Sequence, residues 1–301
     1  MNANGPGPEG VLILDKPQGI TSHDAVYKIR RLYAERKVGH AGTLDPIATG
    51  VLVMLVGRAA KAAEYIAADR KRYEAVMTLG LTTDTLDADG KTLSVSDAIP
   101  SEAEVLAAAR ALTGSYGQIP PMYSAIKRDG VKMVDLARRG VAVDLPPRDI
   151  TVFSLEARRL TDREYSLAVE CSAGTYIRSL CRDIGQRLGC GAVMSALRRT
   201  ASGCFDIANA VTLERLEEMT GDRRLSLLRP TESLFYGLDK LVLPDFFASL
   251  AANGQPVYLH KIGAAVPAGT RVRLYDADGF FALGSSDGET VKAVKQFRIK
   301  N

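Results

Sequence analysis

The densest concentration of residues able to do chemistry is Gly39-His40-Ala41-Gly42-Thr43-Leu44-Asp45-Pro46-Ile47-Ala48-Thr49-Gly50. Three glycines, one proline, one histidine and one carboxylate in twelve residues, flanked by apolar sequence, describe a constrained loop. Asp45 is its only acid, so nucleophilic or general-base chemistry in this loop falls on that carboxylate. The ordinary alternative is that Asp45 caps a short helical turn whose first residue is Pro46. His40 taken alone reads as a hydrogen-bonded structural histidine.

A second cluster, Gly174-Thr175-Tyr176-Ile177-Arg178-Ser179-Leu180, stands at the entry to a helix. Arg178 precedes a core leucine by two positions, which puts it near the buried side, where a guanidinium needs a carboxylate. The alternative is a surface arginine on a helix with Arg182 and Arg187. Residues 178–199 hold five arginines and one acid, Asp183, a pattern that reads as a phosphate-binding face. The acidic stretch Thr83–Gly90 invites a calcium-loop reading. With Gly90 at the sixth position, however, Ser96 falls where the bidentate acid belongs, so a polar turn is expected. No G-x4-G-K-[ST] occurs, so nucleotide hydrolysis lacks its signature.

The elements that must position these groups follow from patterning. VLILDKP reads as a short buried strand stopped by Pro17, and Ser22 is placed to cap a helix through Tyr33. The apolar run at 51–56 is a central strand ended by Gly57, whereas Tyr73–Leu79 alternates as a half-buried strand does. Ser101 and Glu104 form a capping-box signature for a helix through Leu112. Two strands are expected near 150–155 and 165–171. A helix with Ile177, Leu180, Ile184 and Leu188 on one stripe follows, and Gly189 suits its end. Without a regular βαβ rhythm the class is α+β. After Leu243-Pro244, short strands with Asp-Gly turns predict a separate small β-barrel.

Length and composition bound the rest. The 301 residues are 46% hydrophobic and 25% charged, which is globular and neither disordered nor low-complexity. A net charge of +4 permits a nucleic-acid partner without demanding one. Cys171, Cys181, Cys190 and Cys204 have no zinc-knuckle spacing and read as reduced structural thiols. His23, His40 and His260 are not placed for a metal centre. The opening residues lack the basic and apolar regions of a signal peptide, and no run approaches a membrane span, so a cytoplasmic protein is expected.

Taken together, the motifs are recognisable: Lys16-Pro17-Gln18-Gly19-Ile20-Thr21-Ser22, GHAGTLDPIATGVL at 39–52, Lys71-Arg72-Tyr73 leading to LGLTTDTLDADG, PPMYSAIKRDG at 120–130, GTYIRSLCRDIG at 174–185 and LRRTASGCF at 197–205. The chain closely resembles the bacterial tRNA pseudouridine synthase B family from about residue 10 to 240. The resemblance implies an α+β, pseudouridine-synthase-type mixed sheet with flanking helices. It implies an RNA-gripping thumb insertion at about 120–147 and a PUA-like C-terminal β-barrel, hence a catalytic domain over 1–240 and an RNA-binding domain over 241–301.

It further implies isomerisation of uridine 55 in the T-loop of tRNA, by base flipping, without a cofactor or metal. Asp45 matches the family's catalytic nucleophile, against the capping alternative. Tyr73 matches the tyrosine that stacks on the target base near its carbon 5 proton, and Arg178 the arginine that pairs with the aspartate. His40, Tyr176 and Leu197 match substrate-binding positions, and Lys16 and Pro17 a motif supporting the active-site loop. Val134 departs from the family, which usually has an aromatic there. The expected partner is the tRNA T-arm, with the protein a monomer off the membrane. The alternative from another class is a non-catalytic RNA-binding or RNA-folding protein on the same scaffold. A generic nucleic-acid hydrolase would need metal-binding acids.

Overall fold

Strands account for most of the framework up to Thr212. They are β1 (Gly10–Lys16), β2 (Val38–Ala41), β3 (Ala48–Val56), β4 (Lys71–Leu79), β5 (Leu81–Thr83), β6 (Thr92–Val95) and β7 (Gly114–Gln118). These are followed by β8 (Lys127–Arg128), β9 (Val131–Lys132), β10 (Arg148–Arg159), β11 (Glu164–Cys171), β12 (Ala192–Ser202), β13 (Phe205–Asp206) and β14 (Val211–Thr212). The computed structural model describes residues 7–66, 70–124, 126–128, 131–141, 143 and 145–298. Ten strands form one sheet in the order β14-β1-β3-β12-β4-β11-β10-β7, with β2 beside β3 and β13 beside β12. The β1–β14 and β3–β12 pairs are parallel and the others antiparallel, so the sheet is mixed as expected.

The patterning sorts these strands by how many faces are covered. Along β1 and β3, Leu12, Leu14, Leu52, Met54 and Val56 enter one core, while Val11, Ile13, Val51, Val53 and Leu55 enter another on the opposite face. That double burial is why both strands read as uninterrupted apolar runs. On β4 only Tyr73, Ala75, Met77 and Leu79 are buried, with Arg72 and Glu74 exposed, which gives the alternation.

Three helices lie against the first core: α1 (Ser22–Tyr33), α2 (Glu102–Arg110) and, after the short α3 (Met133–Arg138), α4 (Ile177–Leu188). The α2 capping box and the left-handed Gly189 after α4 form as read. The cap of α1 is one residue earlier than expected: Thr21 accepts from the Asp24 N–H, and the Asp24 carboxylate returns to the Thr21 N–H. This reciprocal box leaves Ser22 free for other partners. Of the 120–147 insertion, the β8–β9 hairpin and α3 are seen. Asp129 and Asp144, and the side chains of Lys127, Arg128, Lys132, Val134 and Arg138, lie outside the described residues, as does the start of the N-terminal arm.

A second, five-stranded sheet is built from Asp239–Val242, Val257–Tyr258, Arg271–Asp276, Gly279–Ser286 and Thr290–Gln296, with the helix Asp245–Ala252 against it. It is joined to the main sheet by apolar packing. Phe235, Phe280 and Phe297 stack at 5.6–6.1 Å in the same core as Val51, Val53 and Leu55.

β3 and β12 approach most closely at Gly50, opposite Arg199 in the parallel register. Gly50 has φ +99°, and a Cβ there would lie 2.3 Å from the Arg199 carbonyl oxygen and 2.8 Å from its nitrogen. Gly50→Ala is therefore expected to cost about 3 kcal/mol or more, read as a lowered urea midpoint at unchanged slope. An unchanged midpoint would show that the strands can move apart.

Candidate active site

The loop between β2 and β3 has no regular structure, yet almost every residue in it is held. Asp45 to Ala48 is a β-turn, closed by the Ala48 N–H donating to the Asp45 carbonyl at 3.1 Å, with Pro46 second in the turn. Ser22 clamps the preceding residue: its hydroxyl accepts from the Leu44 N–H at 2.8 Å and donates to the Leu44 carbonyl at 3.0 Å. The wholly buried Arg199 donates to the carbonyls of Gly42 (3.0 Å), Thr43 (3.3 Å) and, from Nε, Val51 (2.7 Å). Lys16 is buried as well and donates to the Pro17 and Ile20 carbonyls, both at 2.8 Å, shaping a turn whose Gly19 N–H reaches the Pro46 carbonyl at 2.9 Å. Burial of its ammonium, offset in part by the nearby Asp45 charge, lowers the Lys16 pKa to about 8. Lys16 and Pro17 thus buttress the loop, as expected of them.

The Asp45 side chain is spent on none of these backbone bonds. It meets Arg178, whose Nη2 donates to Oδ1 at 3.0 Å, while Nε stands 2.9 Å from Oδ2 as an ionic contact rather than a directed hydrogen bond. The guanidinium side chain is 5% exposed and the carboxylate side chain 33%, so the carboxylate is the half of the pair that an incoming molecule can reach. The same guanidinium donates to the carbonyls of Thr85 and Tyr123, each at 2.9 Å, and lies 3.6 Å from the Asp87 carboxylate.

The Thr83–Gly90 stretch is therefore a turn that seats Arg178. Asp87 accepts from Thr85 Oγ1 at 2.5 Å, and Asp84 accepts from the Lys91 N–H at 2.8 Å. Leu86 sits at φ +64°, a conformation unfavourable by about 1–2 kcal/mol for a side chain of this kind. Reciprocal bonds with Met194 on β12 hold the turn there, from the Met194 N–H to the Leu86 carbonyl and from the Ala88 N–H to the Met194 carbonyl.

The remaining expected residues stand on strands β2, β4 and β12 and at the entry of α4. Tyr73 on β4 faces Arg199 in register, and Leu197 sits two residues along β12, opposite Ala48 and Ala75. Both are buried, and burial raises the Tyr73 phenol above its ordinary range, against the pull of Arg199. Tyr176 is the residue at the entry of α4 and is half-buried. His40 is on β2, with a buried Nδ1 that has no hydrogen-bond partner.

Burial, with Arg199 and His23 nearby, lowers the His40 pKa from its ordinary 6.5. Because the unfolded chain takes the proton first, this neutral imidazole contributes fully above about pH 6.5 and less as the pH falls below it. Wild type is expected to lose more thermal stability between pH 7.5 and 5.5 than His40→Asn does. Equal losses would mean that His40 protonates freely in the fold.

The expected basic face at 178–199 does not exist. Arg178 and Arg199 are buried, Arg198 makes a bidentate pair with Asp15 at 2.7 and 3.1 Å, and Arg182 is bound to Asp183 and the Ile119 carbonyl. Of the five, Arg187 is the exposed one. Sequence reasoning missed Ser22 as a loop clamp, Arg199 as its anchor and Asp87 as a partner of Arg178. The signal available for Asp87 and Arg199 was their place inside the quoted motifs.

Known proteins similar to this chain bear on what the arrangement does. The family model described as "TruB family pseudouridylate synthase (N terminal domain)" matches residues 30–177, and "tRNA pseudouridylate synthase B C-terminal domain" matches 178–244. A protein of Syntrophotalea carbinolica named tRNA pseudouridine synthase B is 50% identical over 73% of this chain and 72% of its own. One of the same name from Geobacillus thermodenitrificans is 41% identical over 96% of this chain and 100% of its own. Among solved structures, a chain in the crystal structure of a Cbf5-Nop10-Gar1 complex superposes with TM-score 0.73 and 27% identity, over 97% of this chain and 85% of that one.

Proposed function

The chain belongs to the TruB family of pseudouridylate synthases, and from that premise we propose that it converts uridine 55 in the T-loop of tRNA to pseudouridine, with Asp45 as the reacting carboxylate. The observation that carries the reading is the Asp45–Arg178 pair, a reachable carboxylate on a buried guanidinium, set in a loop whose backbone is held from four sides.

The reaction breaks the bond from ribose C1′ to uracil N1, turns the base and joins C1′ to C5. The C5 proton is lost and N1 regains one, so nothing is oxidised and nothing is hydrolysed overall. A uridine stacked in the T-loop is flipped out at a cost of a few kcal/mol to reach Asp45. Tyr73, whose phenol burial pushes above its ordinary range, stacks on the extruded base, a contact worth roughly 1–3 kcal/mol, and stands near the C5 proton. His40, Tyr176 and Leu197 line the pocket that receives it. The buried guanidinium of Arg178 opposes the carboxylate charge. Residues 1–240 supply this chemistry, and 241–301, with the 120–147 insertion, grip the RNA by shape. No helix among the described residues is long and apolar enough to cross a membrane.

The deciding experiment is tritium release from a tRNA transcript labelled at uridine C5, without added cofactor. Release of about one tritium per tRNA, with the new pseudouridine mapped to the T-loop, is the expected result. No release by folded protein that still binds tRNA would return the reading to an RNA-binding role, and product at another position would leave the chemistry and overturn the substrate.

A further inference from the structure

Gln118, the last residue of β7, is 1% exposed and takes no part in the loop or pair described above. Its amide is used at both ends. Oε1 accepts from the Tyr176 N–H at 2.8 Å, while Nε2 donates to the Tyr176 carbonyl at 3.2 Å and to the Tyr116 hydroxyl at 3.2 Å. The Tyr116 hydroxyl in turn donates to Asp183 in the second turn of α4, at 3.3 Å. With both N–H bonds committed and the oxygen facing a donor, the amide has one satisfactory orientation.

Tyr176 is the N-cap of α4, and no side chain of its own caps that helix. Gln118 therefore grips both polar groups of the cap residue's own backbone, taking its N–H as the N3 side chain does in a capping box. Arg178 comes two residues later. The chain after Gln118 runs beside the same turns: the Ile119 carbonyl accepts from Ser179 Oγ and Arg182, and the Tyr123 carbonyl accepts from Arg178. These later contacts are made through backbone carbonyls, so Gln118 is the point where a side-chain change tests the brace.

We infer that Gln118 is a positioning residue for isomerisation, fixing the entry of α4 so that Tyr176 faces the substrate and Arg178 meets Asp45. The inference rests on the proposed function, since it assumes that Tyr176 and Arg178 serve the reaction. A shift of about 1 Å in groups of this kind is enough to lose on the order of 100-fold in rate.

The test measures single-turnover isomerisation at saturating T-arm RNA, RNA affinity and thermal stability for wild type, Gln118→Ala and Gln118→Glu. Gln118→Ala is expected to lower the rate by about 10- to 100-fold with affinity within about threefold. Gln118→Glu keeps the acceptor for the Tyr176 N–H but, when ionised, turns a second oxygen toward the Tyr176 carbonyl. Protonation gives that oxygen one O–H to donate, which restores the bond to the Tyr176 carbonyl but not the second donation, to the Tyr116 hydroxyl. Its rate relative to wild type is therefore expected to rise by about tenfold from pH 8 to pH 5.5, corrected for folded fraction. Rates equal to wild type, a loss wholly in affinity, or a flat pH ratio that tracks only the unfolded fraction would overturn the positioning role. Failure of wild type itself to form product would instead overturn the reading on which the inference rests.

Discussion

Asp45→Asn is expected to abolish pseudouridine formation, lowering the single-turnover rate by a factor on the order of 10⁴ or more, while tRNA affinity changes by less than about threefold. The split follows from the site. The Asp45 carboxylate makes none of the bonds that hold residues 42–46, which come from Ser22, Arg199 and the N–H groups of Gly19 and Ala48. The asparagine oxygen can still accept from Arg178 Nη2, so the loop keeps its place while the charge and the ionic contact with Nε are lost. Stability within a few degrees of wild type is part of the expectation. Residual activity within about tenfold of wild type would remove Asp45 from the chemistry, and equal loss of binding and rate would make it a folding residue.

Arg178→Lys, conservative in charge, is expected to be almost as damaging, with a rate loss of about 10²–10³ and a stability loss of about 2–4 kcal/mol. The guanidinium reaches Asp45 and the Tyr123 carbonyl from Nη2 and the Thr85 carbonyl from Nη1, and stands beside Asp87. One ammonium cannot occupy those directions together. Buried carbonyls lose their donor, and Asp87, whose carboxyl burial already pushes up, loses much of its counter-charge. The measurement pairs single-turnover rates with urea unfolding. A variant as stable and as fast as wild type would mean that a point charge suffices and the fork geometry is incidental.

Much of the framework was legible because burial leaves a period in the sequence. The unbroken run on β3 and the alternation on β4 told a two-faced strand from a one-faced one. The capping box at Ser101 and Glu104 could be read directly, since both partners are three residues apart. The cap at Thr21 was misplaced by one residue because Thr and Ser are both good caps, and only the return bond from Asp24 distinguishes them.

The site was legible only as motifs. Asp45, Tyr73 and Arg178 are far apart in the chain, and on composition Asp45 would have passed for a cap. The supporting polar groups left no periodic trace. Arg199, Lys16 and Gln118 are residue types usually found at the surface, and their burial is set by partners 50 to 160 positions away or by a local turn. The arginines of 178–199 misled for the same reason, since sequence counts charges without showing which are already satisfied inside.

The packing of Phe235, Phe280 and Phe297 on the back of β3 changes what a truncation can mean. The strand that leaves the Asp45 turn has its rear covered by Phe205, Leu234 and Phe235 together with Phe280, Leu283 and Phe297 from the end of the chain. Cutting at residue 240 would remove Phe280, Leu283 and Phe297 and leave Phe205, Leu234 and Phe235 to cover Val11, Ile13, Val51, Val53 and Leu55, partly exposing an apolar strip on the two most buried strands of the main sheet. Such a fragment would tend to precipitate or pair with itself, and its inactivity would report a sheet without its backing as much as an RNA without its grip. The C-terminal segment is thus part of the packing behind β3, so any contribution it makes to RNA binding is best asked by changing its exposed side chains one at a time.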